Sequence, residues 1–73
     1  MKQAPDTFSA RLQWLRERRR ISRHVLSELC GLNHGAISRY ERGERVPNVD
    51  ALIALADFFE VSIDYLLCRE NQR

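Results

Sequence analysis

The sequence has little of what disulfide-stabilised, membrane-spanning or catalytic proteins need. Its 73 residues include only two cysteines, two prolines, three glycines and one lysine. Two cysteines cannot build a disulfide framework, so both are predicted to be free thiols in a reducing cytoplasm. No apolar stretch is long enough for a signal peptide or a membrane span. No nucleophile stands beside a base and no glycine-rich loop could bind a phosphate, so an enzyme is not expected.

Apolar residues recur at helical spacing in five segments, and no segment alternates like a β-strand. The first segment follows an N-cap at Asp6 or Thr7 and buries Phe8, Leu12 and Leu15 on one stripe. The pattern predicts one small all-α domain with a thin core.

The stretch 21–43 is predicted to form two short helices joined by a tight turn. Ser22 is a good N-cap for the first of these helices, and Gly31 can end it in a left-handed conformation. Asn33 is a second N-cap, so the second helix is expected over 33–42. A helix, a glycine turn and a second helix is the helix-turn-helix signature. The apolar face of the first helix is predicted at Val25, Leu26, Leu29 and Cys30.

The segment 49–59 is apolar nearly all round and follows an N-cap at Asn48. Such a helix is normally surrounded by other helices, so it is predicted to lie at the centre of the core. A short fifth helix is predicted after an N-cap at Ser62.

Positive charge is concentrated on the half of the chain that carries the two-helix motif. From Arg11 to Arg45 there are nine arginines and four glutamates, an excess of five positive charges. From Val46 to Arg73 there are two arginines and five acidic residues, an excess of three negative charges. A phosphate-facing surface requires such a distribution, although a solvated surface without a partner would also show it.

The motif resembles the helix-turn-helix of the lambda-repressor-like family, which includes phage Cro and repressor proteins and Xre-type regulators. The segments I-S-R-Y-E-R-G and V-S-I-D-Y-L-L fit the family pattern. So do the small residue Ser27, the turn glycine Gly31 and the aliphatic Ile37. The resemblance implies a compact five-helix domain with the helix-turn-helix formed by helices 2 and 3. The expected organisation is a flexible N-terminal arm, the DNA-binding domain and a C-terminal tail, over 1–6, 7–68 and 69–73.

The resemblance also implies a sequence-specific transcriptional regulator, expected to be a repressor, that binds double-stranded DNA with helix 33–42 in the major groove. Four residues are then expected at base edges, namely His34, Gly35, Ser38 and Arg39. Seven residues are expected at backbone phosphates, namely Ser22, Arg23, His24, Asn33, Arg42, Arg45 and Asn48.

Two of these positions depart from the family pattern. Gly35 stands where a long polar side chain is frequent, which implies fewer direct contacts or a close backbone approach. Arg23 replaces the usual glutamine and keeps its hydrogen-bond donors.

Arg16 and Glu41 match a pair that forms a partly buried salt bridge in several family members. The alternative is two unrelated surface charges.

One helix-turn-helix buries little surface, so a homodimer on a palindromic operator is expected. Its interface is predicted around Phe58, Tyr65 and Leu66. The chain shows no separate dimerisation or ligand domain, so neither a cofactor nor a small-molecule ligand is expected.

The main alternative is a protein-interaction module, such as an antitoxin or a partner of a regulator, with secondary DNA binding. Trp14, Tyr65 and the fourth helix would serve such a role, whereas the clustered arginines favour DNA. Single-stranded RNA would need a row of exposed aromatic residues, which the sequence lacks. A metal site is not expected either, because zinc spacing is absent among its candidate ligands, His24, Cys30, His34 and Cys68.

Overall fold

The computed structural model describes residues 4–69, which fold into five helices and, over that range, no strand. In chain order the helices are α1 (Phe8–Arg18), α2 (Arg23–Leu29), α3 (Ala36–Glu41), α4 (Val49–Phe59) and α5 (Ile63–Leu66). The all-α, five-helix prediction is confirmed. Parts of the predicted arm and tail, at 1–3 and 70–73, lie outside the described residues, and the predicted domain boundaries stay predictions. Between residues 4 and 69, no helix has the length and hydrophobicity that crossing a membrane requires.

Polar side chains cap four of the five helices. Thr7, Ser22, Asn48 and Ser62 each accept a hydrogen bond from the backbone N–H three residues further on, at 2.8–3.3 Å. Each bond satisfies a donor that has no partner inside the helix, which is worth about 1 kcal/mol. The sequence left Asp6 and Thr7 open as the first cap, and the structure selects Thr7.

The core is built from one fully buried aliphatic side chain on each helix. These five residues are Leu12, Leu26, Ile37, Leu55 and Leu66. Around them, α1 packs against α3 and α5, α2 packs against α3, and α4 packs against α5. The rings of Phe8 and Tyr40 meet edge to face, with centroids 6.3 Å apart. The two motif helices are therefore fixed by the same core as the rest of the chain.

The predicted apolar face of α2 is only partly buried. Leu26 is fully buried, but the side chains of Val25 and Leu29 are 40% and 61% exposed. The prediction that they face the core is wrong, because α2 turns the stripe with Leu26 and the buried Ser27 inward instead.

Helix α4 is not surrounded by other helices. It buries one face, including Leu55 and Phe59, and leaves Val49 67% exposed and Ile53 44% exposed. The prediction that other helices surround it was wrong, because five short helices cannot cover an apolar helix on every side. Its central place in the core is supported, since α4 supplies four of the ten buried apolar residues.

Leu66 is fully buried, with no exposed surface. Its side chain therefore cannot contact a second copy of the chain while the domain is folded. The prediction that placed Leu66 in a dimer interface was wrong, because its side of α5 faces the core. Phe58 and Tyr65 are half-buried, and their place in an interface stays a prediction.

Arg11 joins the segment before α1 to the C-terminal helix. It is 4% exposed, and its guanidinium donates from Nε to the Pro5 carbonyl and from Nη1 to the Tyr65 carbonyl, each at 2.7 Å. The same guanidinium lies 4.3 Å from the centroid of the Tyr65 ring. One buried arginine thus satisfies backbone acceptors at both ends of the domain.

The burial pattern of α4 gives a stability prediction. We expect Leu55→Ala to lower the free energy of unfolding by about 2–5 kcal/mol, because it leaves a cavity in the core. Ile53→Ala removes a similar side chain from the exposed face of the same helix and should cost less than half as much. Urea unfolding followed by circular dichroism measures both, and equal losses would contradict the burial of α4 described here.

Candidate nucleic-acid interface

Helix α3 begins three residues later than the sequence suggests. Its N-cap is Gly35, which has φ 80° and ψ −2° and makes no side-chain cap. The predicted cap, Asn33, instead accepts a turn hydrogen bond on its carbonyl from the Ala36 N–H, at 3.0 Å. The predicted helix 33–42 is therefore corrected to Ala36–Glu41, because a left-handed residue cannot continue a right-handed helix. The turn requires a left-handed backbone at position 35, and glycine adopts that conformation without a steric cost.

A small cavity of about 110 Å³ lies between α2 and the start of α3. It brings together predicted phosphate contacts from α2 and predicted base contacts from the turn and α3. Its lining residues are Arg23, His24, Ser27, His34, Gly35 and Ser38. The rings of His24 and His34 meet edge to face there, with centroids 6.1 Å apart. His24 Nε2 also lies 3.3 Å from Glu28 Oε2, one turn further along α2.

A larger open cavity, of about 420 Å³, lies between the turn, α3 and the start of α4. Four predicted contact residues line it, namely Asn33, Arg39, Arg45 and Asn48. Arg39 passes close to Gly35, since a Cβ atom on Gly35 would lie 3.5 Å from Arg39 Nη1. Arg39, which lines the larger cavity, therefore lies beside Gly35, which lines the smaller one.

Arg42 forms a forked ion pair with Glu44. Its Nε and Nη2 atoms donate to the two carboxylate oxygens, at 2.8 and 3.1 Å. This hydrogen bonding lowers the pKa of the Glu44 carboxyl and raises the pKa of Arg42. Both side chains are more than half exposed, so solvent weakens the pair. Arg42 would therefore meet a phosphate with two of its donors already bonded.

Glu41 binds two arginines at once. Its Oε2 accepts from Arg16 Nε at 2.7 Å, and its Oε1 accepts from Arg23 Nε at 2.9 Å. The side chains of Arg16 and Glu41 are 8% and 3% exposed, so this is a buried ion pair between α1 and the end of α3. Arg16 Nη1 also donates to the Ile21 carbonyl, at 2.8 Å.

The contact between Arg23 and Glu41 was missed by the sequence analysis. The signal that could have found it is the arginine at position 23, where the resembled family has glutamine. An arginine is longer than a glutamine, and it carries donors both at Nε and at the tip of the side chain.

Cys30 lines the larger cavity, whereas Cys68 lines neither of the two. Burial raises the pKa of the Cys30 thiol, and its Sγ lies 3.8 Å from the Ala54 carbonyl oxygen. Over residues 4–69, no group of three or more histidine, cysteine or acidic side chains could hold a metal ion.

A family model described as "Helix-turn-helix" matches residues 12–66. The chain belongs to this helix-turn-helix family. Among curated relatives, the HTH-type transcriptional regulator AnsR of Bacillus subtilis is 38% identical over 63 residues, covering 86% of this chain and 54% of AnsR. The HTH-type transcriptional activator BcrR of Enterococcus faecalis is 36% identical over 64 residues, covering 88% of this chain and 31% of BcrR. The helix-turn-helix chain thus spans about half of the first relative and about a third of the second.

A solved structure matches over its whole length. It is the crystal structure of the phage P22 c2 repressor protein in complex with synthetic operator 9T in the presence of Tl+. The TM-score is 0.83 and the identity 32%, over 90% of this helix-turn-helix chain and 100% of that chain. The resemblance to lambda-repressor-like regulators is confirmed, and the matched proteins are transcriptional regulators rather than enzymes.

The conformation of Gly35 gives a second prediction. We expect Gly35→Ala to lower the free energy of unfolding by about 1–2 kcal/mol, because a Cβ atom is disfavoured at positive φ. Gly35→Asn is the matched control and should cost less, since asparagine tolerates the left-handed region. Thermal unfolding of both variants tests this, and an alanine variant as stable as the parent would argue against the left-handed turn.

Proposed function

We propose that this chain is a sequence-specific regulator of transcription that binds double-stranded DNA with α3 in the major groove. The observation that carries the proposal is the match, over the whole of the solved chain, to a repressor in complex with a synthetic operator. The clustering of predicted contact residues in the two cavities supports it. The bacterial and phage origin of the relatives supports action in the cytoplasm, on DNA of the nucleoid.

The residues proposed to contact base edges lie partly in the turn before α3 and partly on α3 itself. His34 precedes α3, whereas Ser38 and Arg39 stand on it. Arg39 can form a forked pair with guanine O6 and N7, and the hydroxyl of Ser38 can reach a base or a phosphate. Gly35 has no side chain, so its contribution is a close approach of the backbone to the DNA.

The residues proposed to contact phosphates lie on either side of those proposed to contact bases. Arg23, His24, Arg42 and Arg45 have exposed side chains that can donate to phosphate oxygens. Asn33 lies in the exposed turn. Ser22 and Asn48 already accept cap hydrogen bonds on their side-chain oxygens. Their remaining donors, a hydroxyl hydrogen and an amide NH₂ group, suit a phosphate.

A repressor acting as a homodimer is the form of regulation that we propose. Two copies related by a twofold axis would read half-sites about 34 Å apart on a palindromic operator. Phe58 and Tyr65 are the surface residues proposed for the dimer contact.

A protein-interaction role is the second candidate. Val49 and Leu29, which are 67% and 61% exposed, favour it because they could contact a partner protein. DNA binding would then be secondary, and selection from a DNA pool would return no sequence preference.

The first experiment is selection of bound duplexes from a random DNA pool, using the parent chain, Arg39→Ala and Arg18→Ala. We expect a palindromic motif for the parent and loss of a guanine preference in Arg39→Ala, worth about 1–3 kcal/mol of discrimination. Arg18→Ala removes the same charge from α1, outside the proposed contacts, and should keep the preference. No enriched motif, with binding that merely falls as salt rises, would leave only non-specific attraction.

The proposed dimer has a test of its own. We expect Phe58→Glu to weaken binding to the selected palindrome, because a charge at the contact disfavours pairing of two copies. Binding to a duplex carrying one half-site is the internal control and should not change. Sedimentation in the presence of each duplex reports the number of copies bound. An unchanged affinity for the palindrome would exclude Phe58 from the contact.

A further inference from the structure

We propose that Glu41 is a positioning residue for DNA binding, because its buried carboxylate fixes the guanidinium of Arg23 for a phosphate contact. This inference rests on the proposed function, in which Arg23 meets the DNA backbone. It assigns a role in binding to an acidic residue that would itself repel DNA.

The geometry of the carboxylate carries the first step. Glu41 Oε1 accepts from Arg23 Nε at 2.9 Å and from Arg16 Nη2 at 3.2 Å, and Oε2 accepts from Arg16 Nε at 2.7 Å. The Glu41 side chain is only 3% exposed. Since both oxygens are bonded and the group is buried, the carboxylate is a fixed acceptor rather than a mobile surface charge.

The second step concerns the terminal nitrogens of Arg23, which Glu41 leaves without a hydrogen bond. Only Nε is used, and within residues 4–69 the terminal nitrogens of Arg23 make no hydrogen bond. The side chain is 50% exposed and lines the small cavity together with His34 and Ser38. A guanidinium held at Nε keeps its terminal N–H groups for a phosphate and loses less conformational freedom when it binds.

The exposed pair of Arg42 and Glu44 provides a contrast within the same surface. Glu44 takes both Nε and Nη2 of Arg42, at 2.8 and 3.1 Å, and its side chain is 54% exposed. It therefore competes with a phosphate for the donors of Arg42. The two glutamates carry the same charge beside two proposed phosphate contacts, but Glu41 bonds Arg23 at Nε alone, whereas Glu44 also takes a terminal nitrogen of Arg42.

Electrostatics alone predicts the opposite effect for Glu41. Removing a negative charge near DNA strengthens binding when charge is the only factor. A weaker complex after neutralisation of Glu41 would therefore be specific to positioning.

The test uses Glu41→Gln and Glu44→Gln, each in the parent chain and in an Arg23→Ala background. Affinity for the duplex selected above is measured over a range of salt concentrations. We expect Glu41→Gln to weaken binding about five- to tenfold in the parent, which lies within the value of one ordinary hydrogen bond. The slope of log K against log salt should fall in magnitude by about 0.9, the contribution of one phosphate contact.

In the Arg23→Ala background, Glu41→Gln should not weaken binding. Glu44→Gln is the matched control and should leave binding unchanged or strengthen it.

Glu41→Gln also removes the partner of the buried Arg16, so its folding is checked by thermal unfolding. If it does not fold, Arg23→Lys provides the test at a half-exposed position. Lysine keeps the charge, but its three donors lie on one nitrogen, so it has no separate Nε to hold the carboxylate while the tip of the side chain meets a phosphate. We expect Arg23→Lys to bind about five- to tenfold more weakly than the parent, because pairing at Nε and not the charge alone is decisive. Binding equal to that of the parent would overturn the inference.

The remaining outcomes separate this inference from the proposed function. A folded Glu41→Gln protein that binds DNA as tightly as the parent, or more tightly, would overturn the inference alone. Binding that does not depend on Arg23 would do the same. A parent chain that selects no duplex would overturn the proposed function and the inference with it.

Discussion

The structure depends on the meeting of five aliphatic side chains, one from each helix, in a single small core. Helix α3 has only six residues, which is too short to be stable alone in water. It is held because Ala36, Ile37 and Tyr40 are buried against the other helices. The exposed Arg39 and half-buried Ser38 therefore owe their placement to the neighbours that face inward. In a domain of this size the core and the proposed nucleic-acid surface are two faces of the same short helix.

Buried arginines supply a second set of constraints. Arg11 and Arg16 are 4% and 7% exposed, and both donate to backbone carbonyls outside α1. Arg16 also donates to the Glu41 carboxylate. They account for part of the positive charge that the sequence concentrates before position 45. The arginine-rich composition thus has two physical origins, since some guanidinium groups fasten loops to helices while Arg23 and Arg39 remain on the surface.

Helix caps set by a single side chain could be predicted from the sequence. Where two nearby residues favoured different helix starts, the sequence did not show which would prevail. The caps at Ser22 and Asn48 follow from side-chain chemistry within three residues. Asn33 offers the same chemistry, but the left-handed Gly35 delays the helix, and nothing nearby in the sequence ranks the two signals. Periodicity also cannot say which face of an apolar helix a small domain will cover, as Ile53 shows. The contact of Arg23 with Glu41 joins positions 18 apart and required the fold.

The hydrogen bonds of Arg11 have a mechanical consequence. Its guanidinium holds the carbonyls of Pro5 and Tyr65, which stand near opposite ends of the described chain. A force transmitted through either end, by a tether or a fused domain, is borne by the same side chain. The two ends are therefore not independent attachment points: loosening one removes a hydrogen bond from the guanidinium that binds the other.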